Sequence, residues 1–349
     1  MLTIDGSFGE GGGQLLRTAL SLSIILKKPF HIINIRAGRP KPGLQPQHLT
    51  CVKACQRISN AITKGDEINS KELTFIPTGD PESDLYHFDI GTAGSTSLLF
   101  QTLLYPLALS QGGTLILEGG THVPHSPTYH YLERVFLPVI QSFGFKASLE
   151  LKKAGFYPKG GGKIKAQIFP VSSFSIPDIS PGFKPEKIEI LSTISEDLPR
   201  HIMERQAKSA VDILTDYQLQ GDVQMEKINS NSPGTMLLIV SKDKIKRAGF
   251  SSLGKRGLPA EEVAKSATYR FLEFLERDAQ FEEYLGDQLL LPVSLSLIKT
   301  KEKSFQYTIS KITKHILTQA WLIPQFLEDI KISIIEVEKT KGRIIVERR

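Results

Sequence analysis

The chain has 349 residues, 40% hydrophobic and 23% charged, with 43 Lys and Arg against 37 Asp and Glu, a net charge of +6. That length and balance belong to a globular protein with ample core and exclude a disordered or collagen-like chain. No run of about 18 apolar residues occurs, so no membrane span is expected. MLTIDGSFGE lacks a basic segment followed by an apolar one, so no secretory signal is expected and the reading is cytoplasmic. Cys51 and Cys55 stand four apart on a predicted helix. No second pair completes a zinc site, and they read as two small buried side chains in a reducing compartment.

The charge is uneven. Residues 1–55 hold seven basic and two acidic side chains, and residues 299–349 hold eleven and six. Each end is therefore +5 and the middle is −4. If the ends meet in space they make a basic surface suited to a polyanion.

In chain order, three segments read alike: GQLLRTALSLS ending at Ser23, FQTLLYPLALS ending at Ser110 and GDQLLLPVSLS ending at Ser296. Each predicts a mostly apolar helix. A strand follows each (PFHIINIRA, GTLILEGG, SFQYTIS), then a second helix (QHLTCVKACQRISNA, PTYHYLERVFLPVIQSFG, HILTQAWLIPQFLEDI). Ser23 to Ser110 and Gln14 to Gln101 share an offset of 87, while Ser110 to Ser296, Pro106 to Pro292 and Pro138 to Pro324 share 186. The difference, 99 residues, predicts a small domain inserted before the third repeat. The insert is placed at 184–279, with a host of 1–183 plus 280–349 that unites the two basic ends. Within it KIEILSTI predicts a strand, LPRHIMERQAKSAVDILTDY a helix, GDVQMEKI and TMLLIVSKD a strand pair around SNSPG, and LPAEEVAKSATYRFLEFLERD an amphipathic helix. Helices alternating with strands make the class α/β or α+β, with helices packed on sheets, and it is taken as α+β built of α/β-type repeats.

Five places could carry chemistry. In GEGGGQ, Gly11 to Gly13 let the backbone approach an anion at a helix start, and Glu10 offers a hard oxygen to a divalent cation. In IRAGRPKPGLQPQHL, Arg36 and Arg39 suit phosphate, and Gln47 and His48 open a helix. In YLGDQ, Tyr284 could stack on a base while Asp287 and Gln288 bond ribose or base edges. His315 opens the second helix of the third repeat, with Lys311 and Lys314 expected to depress its pKa and favour the neutral, nucleophilic imidazole. In AGFYPKGGGKIK, Lys159 with Gly160 to Gly162 offers an anion loop or a simple hairpin turn. His122, His125 and His130 are spaced too irregularly for a metal site and read as a loop over the site.

In order, IDGSFGEGGGQLLRTALSLS, IRAGRPKPGLQPQHLT, GTAGSTSLLFQ, GFYPKGGG, GFSSLGKRGLPAEEVA, YLGDQLLLP and KHILTQ resemble the RNA 3′-terminal phosphate cyclase family across nearly the whole chain. The resemblance implies three βαβαββ-like repeats around a pseudo-threefold axis, with a smaller inserted four-stranded, two-helix domain. It implies an ATP-dependent reaction with Mg2+ or Mn2+, in which an RNA 3′-terminal phosphate becomes a 2′,3′-cyclic phosphate. His315 would be the nucleophile and carry a covalent AMP. Gln101, Tyr284, Leu285, Gly286, Asp287 and Gln288 would form the nucleotide pocket. Arg17, Arg36, Arg39 and Gln47 would hold phosphates of ATP or RNA, and Glu10 the metal. Gln14, Gln101 and Asp287 share one repeat position. Two departures are Ala154, where the family pattern has a basic residue, and His122, where it has an acidic one. The alternative is a catalytically inactive cyclase-like RNA-binding ribosome-assembly protein, a lineage that lacks the histidine.

Overall fold

The computed structural model describes residues 1–338 and 340–349. Its first unit runs β1 (Leu2–Asp5), α1 (Gly13–Leu26), β2 (Phe30–Ile33), α2 (Pro46–Ser59), β3 (Ile62–Lys64) and β4 (Leu73–Ile76). The second runs β5 (Leu85–Asp89), α3 (Thr96–Ala108) and β6 (Gly113–Gly119). It continues through a broken helix of α4 (Tyr129–Tyr131), a π segment (Leu132–Phe136) and α5 (Leu137–Gln141), then β7 (Ala147–Lys153) and β8 (Gly162–Ile168). Pro138 lies just inside α5 and has no N–H for the helical ladder, and the π segment absorbs that break.

The inserted unit holds β9 (Lys187–Ser195), α6 (Arg200–Asp216), β10 (Asp222–Ile228), β11 (Thr235–Asp243), β12 (Lys246–Leu253) and α7 (Ala260–Glu276). The third unit follows with α8 (Glu283–Leu297), β13 (Ser304–Ile309), α9 (Lys314–Phe326), β14 (Ile330–Glu338) and β15 (Lys341–Arg348).

The predicted repeat is visible in the sheets. Their strand orders are β1-β2-β4-β3, β5-β6-β8-β7 and β13-β15-β14. In the first two, a parallel pair is followed by two antiparallel pairs. The third has the same antiparallel pairs, and its missing first strand is reduced to one parallel bridge, Phe281 to Ile309.

Helices α1, α3 and α8 are buried on nearly every side, as helices apolar all round must be. Pro106 removes the N–H that would bond the Thr102 carbonyl inside α3, and the Ser21 hydroxyl of α1 donates to that oxygen at 2.7 Å. A landmark of the repeat is thus repaired by a neighbouring helix.

The insert's sheet has order β10-β9-β11-β12. The expected pairing of GDVQMEKI with TMLLIVSKD does not form. Instead β10 runs parallel to β9, and β11 pairs with β9 and β12. The α6 crossover places β10 on one side of β9, so the SNSPG connection must pass to the other. The sheet buries both faces, which explains the continuous apolar run in β11. Leu237 and Ile239 join Phe250, Phe271 and Phe274 under α6 and α7, whereas Met236, Leu238 and Val240 belong to the main core. Cys51 and Cys55 are free and buried. Among the described residues no helix is long and apolar enough to cross a membrane.

Candidate active site

A cleft of about 850 Å³ lies where α1, α3, α8 and α9 meet the insert. Host residues Gln14, Arg17, Gln101, Tyr284, Asp287, Gln288 and His315 line one side, while Ser251, Ser252 and Arg270 line the other from β12 and α7. The three residues of one repeat position, Gln14, Gln101 and Asp287, all reach it. Gln101 Nε2 donates to Gln288 Oε1 at 2.7 Å.

The glycine run after β1 owes its composition to close packing. A Cβ at Gly9, whose φ is +65°, would strike Thr318 of α9, and one at Gly13 would strike His48 of α2. The Glu10 N–H donates to Thr318 Oγ1 at 3.1 Å. The turn therefore sets Glu10 beside His315, with Glu10 Oε2 3.9 Å from His315 Nδ1 and its other oxygen ion-paired with Arg39. Gln14 Oε1 lies 2.7 Å from His315 Nδ1. Oriented so that the amide oxygen accepts from Nδ1–H, Gln14 leaves the Nε2 lone pair free.

Burial, then Arg17 and Arg39, hold the His315 pKa below the usual histidine value. The direction matches the expectation from sequence, but the cause differs: Lys311 and Lys314 are not among the groups responsible. Burial together with Arg17, Arg36 and Arg39 pushes His48 down to about 3. Its Nδ1 is buried without a partner among the described residues. Three guanidinium groups thus converge on one corner.

Asp287 lines the far end of the cleft, and Glu282 is buried just before the start of the same helix. Glu282 caps α8, accepting from the N–H groups of Tyr284 at 2.6 Å and Leu285 at 2.8 Å and from the Tyr131 hydroxyl. Burial and Glu283 push its pKa up to about 8. Asp287 is also held well above the carboxylate range by burial and Glu282, against the pull of Arg17.

Other predicted site residues stand back from the cleft. Arg36 donates to the carbonyls of Lys41 at 2.6 Å and Gly43 at 3.0 Å, stapling its own loop. Gln47 Oε1 accepts from the Ser95 N–H at 2.7 Å and joins α2 to the start of α3. Leu285 is fully buried in the core, and Gly286 packs its α-carbon against Ile309 while its carbonyl accepts from the Tyr307 hydroxyl.

His125 lines the cleft. His122 and His130 are instead buried in series, His122 Nε2 2.9 Å from His130 Nδ1 and His130 Nε2 3.3 Å from Glu226 of the insert. Ala154 is buried on the same seam, its N–H donating to the Asn229 carbonyl at 2.8 Å. The Lys159–Gly162 segment links the antiparallel pair β7 and β8, as a hairpin connection does. The insert's wall and Tyr131 were not singled out from sequence, although GFSSLG, which supplies Ser251 and Ser252, is among the motifs quoted for the resemblance.

Residues 8–334 match the family described as RNA 3′-terminal phosphate cyclase. The chain belongs to that family. It is 42% identical over 333 residues to the RNA 3′-terminal phosphate cyclase of Gloeothece citriformis, covering 93% of each chain. It is 42% identical over 339 residues to that of Sulfolobus acidocaldarius, covering 95% of this chain and 96% of the relative. The relative from Nostoc punctiforme is 39% identical over 333 residues, covering 93% and 94%.

The family resemblance implies a divalent metal. Among the described residues there is no group of three or more His, Cys, Asp or Glu that could hold one. Mg2+ commonly takes one or two carboxylates and completes its sphere with substrate phosphates. Glu10, on the guanidinium corner where phosphates would lie, fits that pattern.

Proposed function

We propose that this protein is an ATP-dependent RNA 3′-terminal phosphate cyclase acting through a covalent histidine–AMP. His315 Nε2 attacks the α-phosphorus of ATP, a P–N bond forms and pyrophosphate leaves. An oxygen of the RNA 3′-phosphate then takes the AMP and frees the histidine. The adjacent ribose 2′-hydroxyl attacks the activated 3′-phosphorus, AMP leaves and a 2′,3′-cyclic phosphate remains. A 2′-hydroxyl already held beside its target loses little further entropy in that step.

The observation that carries this reading is the geometry at His315. Gln14 holds Nδ1, burial and two arginines hold the pKa below the usual histidine value, and Nε2 has no hydrogen-bond partner among the described residues, beside a guanidinium corner. Arg17 and Arg39 would stabilise charge building on the α-phosphate. Arg36 and Gln47 would act by fixing the loop and helix start that carry Arg39. Gln101, Asp287 and Gln288 would bind the nucleoside, with Tyr284 stacked on the base. Leu285 and Gly286 would shape the pocket through α8. Glu10 would hold Mg2+ or Mn2+, which when bound neutralises phosphate charge. The proposed division is a catalytic host of 1–183 and 280–349, its repeats around a pseudo-threefold axis, and an insert of 184–279 that closes the cleft; the setting is cytoplasmic.

Incubation with α-labelled ATP and Mg2+ or Mn2+ tests the reading. The wild type becomes labelled and His315→Ala does not. An unlabelled wild type would overturn it in favour of an RNA-binding protein without catalysis.

A further inference from the structure

The glycine-rich turn and α9 make a second feature outside the cleft. Phe8 precedes Gly9 and Glu10 and lies flat on Trp321, with ring centroids 4.0 Å apart and planes 19° apart. Phe8 is 39% exposed, and Leu317, one helical turn before Trp321, is 47% exposed. Trp321 packs its other side on the main core. Lys314, Leu317, Trp321 and Gln325 recur at helical spacing on one stripe of α9. Trp321 is six residues from His315, about 9 Å along the axis and about 120° around it.

An aromatic face left in water beside an active site needs a reason. Core packing accounts for one side of Trp321 but not for Phe8, which sits on the outside of the stack. The surroundings are cationic: Lys311 and Lys314 are exposed and make no ion pair among the described residues, and Arg39 shares Glu10 with His315. Of the two carboxylates that flank Phe8 in the chain, Glu10 is paired with Arg39, and Asp5 accepts from the Ser7 N–H and hydroxyl and from Asn34. An open aromatic face with lysines is the usual surface for a single strand, because bases stack and phosphates pair.

We propose that Phe8 and Trp321 form a stacking platform for a base at the 3′ end of the RNA, with Lys311 and Lys314 against its phosphates. The inference rests on the cyclase reading and adds where the RNA strand leaves His315. The cleft takes the nucleotide. The platform takes the strand, beside the segment that precedes Glu10 in the chain.

Trp321 is the chain's single tryptophan, so its fluorescence reports on this platform alone. Titrating the full protein with a single-stranded RNA oligonucleotide bearing a 3′-phosphate should quench it saturably, less so at high salt. ATP alone should leave it unchanged. Phe8→Ala and Trp321→Leu should each weaken RNA affinity about tenfold. They should raise KM for RNA with kcat and ATP-only labelling unchanged, and Trp321→Tyr should restore binding. RNA binding without quenching, quenching by ATP alone, or wild-type KM in a Trp321→Leu variant that still labels would each overturn the proposal. Because labelling needs no RNA, its absence from the wild type would count against the cyclase reading and not against the platform.

Discussion

The two ends of the cleft use the same physical lever on opposite charges. At the His315 corner, burial with Arg17 and Arg39 drives imidazoles toward the neutral form, and with Arg36 takes His48 to about 3. At the Tyr284 end, burial drives the Glu282 pKa up to about 8 and that of Asp287 upward. At both ends burial disfavours the charged form, and the arginines stand at the His315 end. One end suits an anion, and the other suits an uncharged ring with hydrogen-bonding edges. On the proposed reading, this contrast is what would sort a nucleotide end to end.

Removing the cationic end should have the larger effects. We expect Arg17→Ala to slow labelling by about 10²–10³-fold, the usual cost of removing a donor from a developing oxyanion, as read by single-turnover labelling. Arg39→Ala should weaken RNA cyclisation about 10- to 100-fold, with a defect that varies with salt. It should also move the acid limb of labelling upward. The guanidinium disfavours the imidazolium, so its loss raises the His315 pKa and leaves less nucleophile at a given acidic pH. Equal acid limbs in variant and wild type would detach Arg39 from His315.

Changes at the other end should be milder. Tyr284→Ala should weaken ATP binding about tenfold through a lost stack, with labelling at saturating ATP retained. Glu282→Gln should act on stability through pH. The folded pKa of about 8 lies above the unfolded value of about 4.3. Between these the folded state binds the extra proton, so the Glu282 contribution falls as pH rises toward about 8. Glutamine does not titrate, so the Tm difference should move in the variant's favour from pH 5 to pH 8.5. An unchanged difference would mean that Glu282 ionises normally and the contrast between the two ends is weaker than drawn.

The internal repeat was legible because helix and proline positions recur at fixed offsets, and the 99-residue excess before the third set pointed to extra chain there. The pairing of β10 and β11 was not legible. Apolar alternation marks strands but not partners, and β9, earlier in the chain, takes the place between them. YLGDQ illustrates the same limit within five residues. The motif falls on one helix, yet helical geometry sends Asp287 and Gln288 to the cleft while Leu285 faces the core. For Arg36, expected from sequence to hold phosphate, only the structure shows a left-handed backbone at φ +56° and a guanidinium bonded to two loop carbonyls.

The repeat offsets, the basic ends and the residue types able to handle phosphate can be read in the sequence, since all of these are patterns along the chain. Only the tertiary structure decided that Gln14 orients His315 across 301 positions, that Arg17, Arg36 and Arg39 act on one histidine, and that the insert buries a second sheet face against the host. It also decided that Phe8 stacks on Trp321. Side-chain electrostatics and stacking depend on distances of a few ångströms between residues far apart in the chain, and packing alone sets those distances.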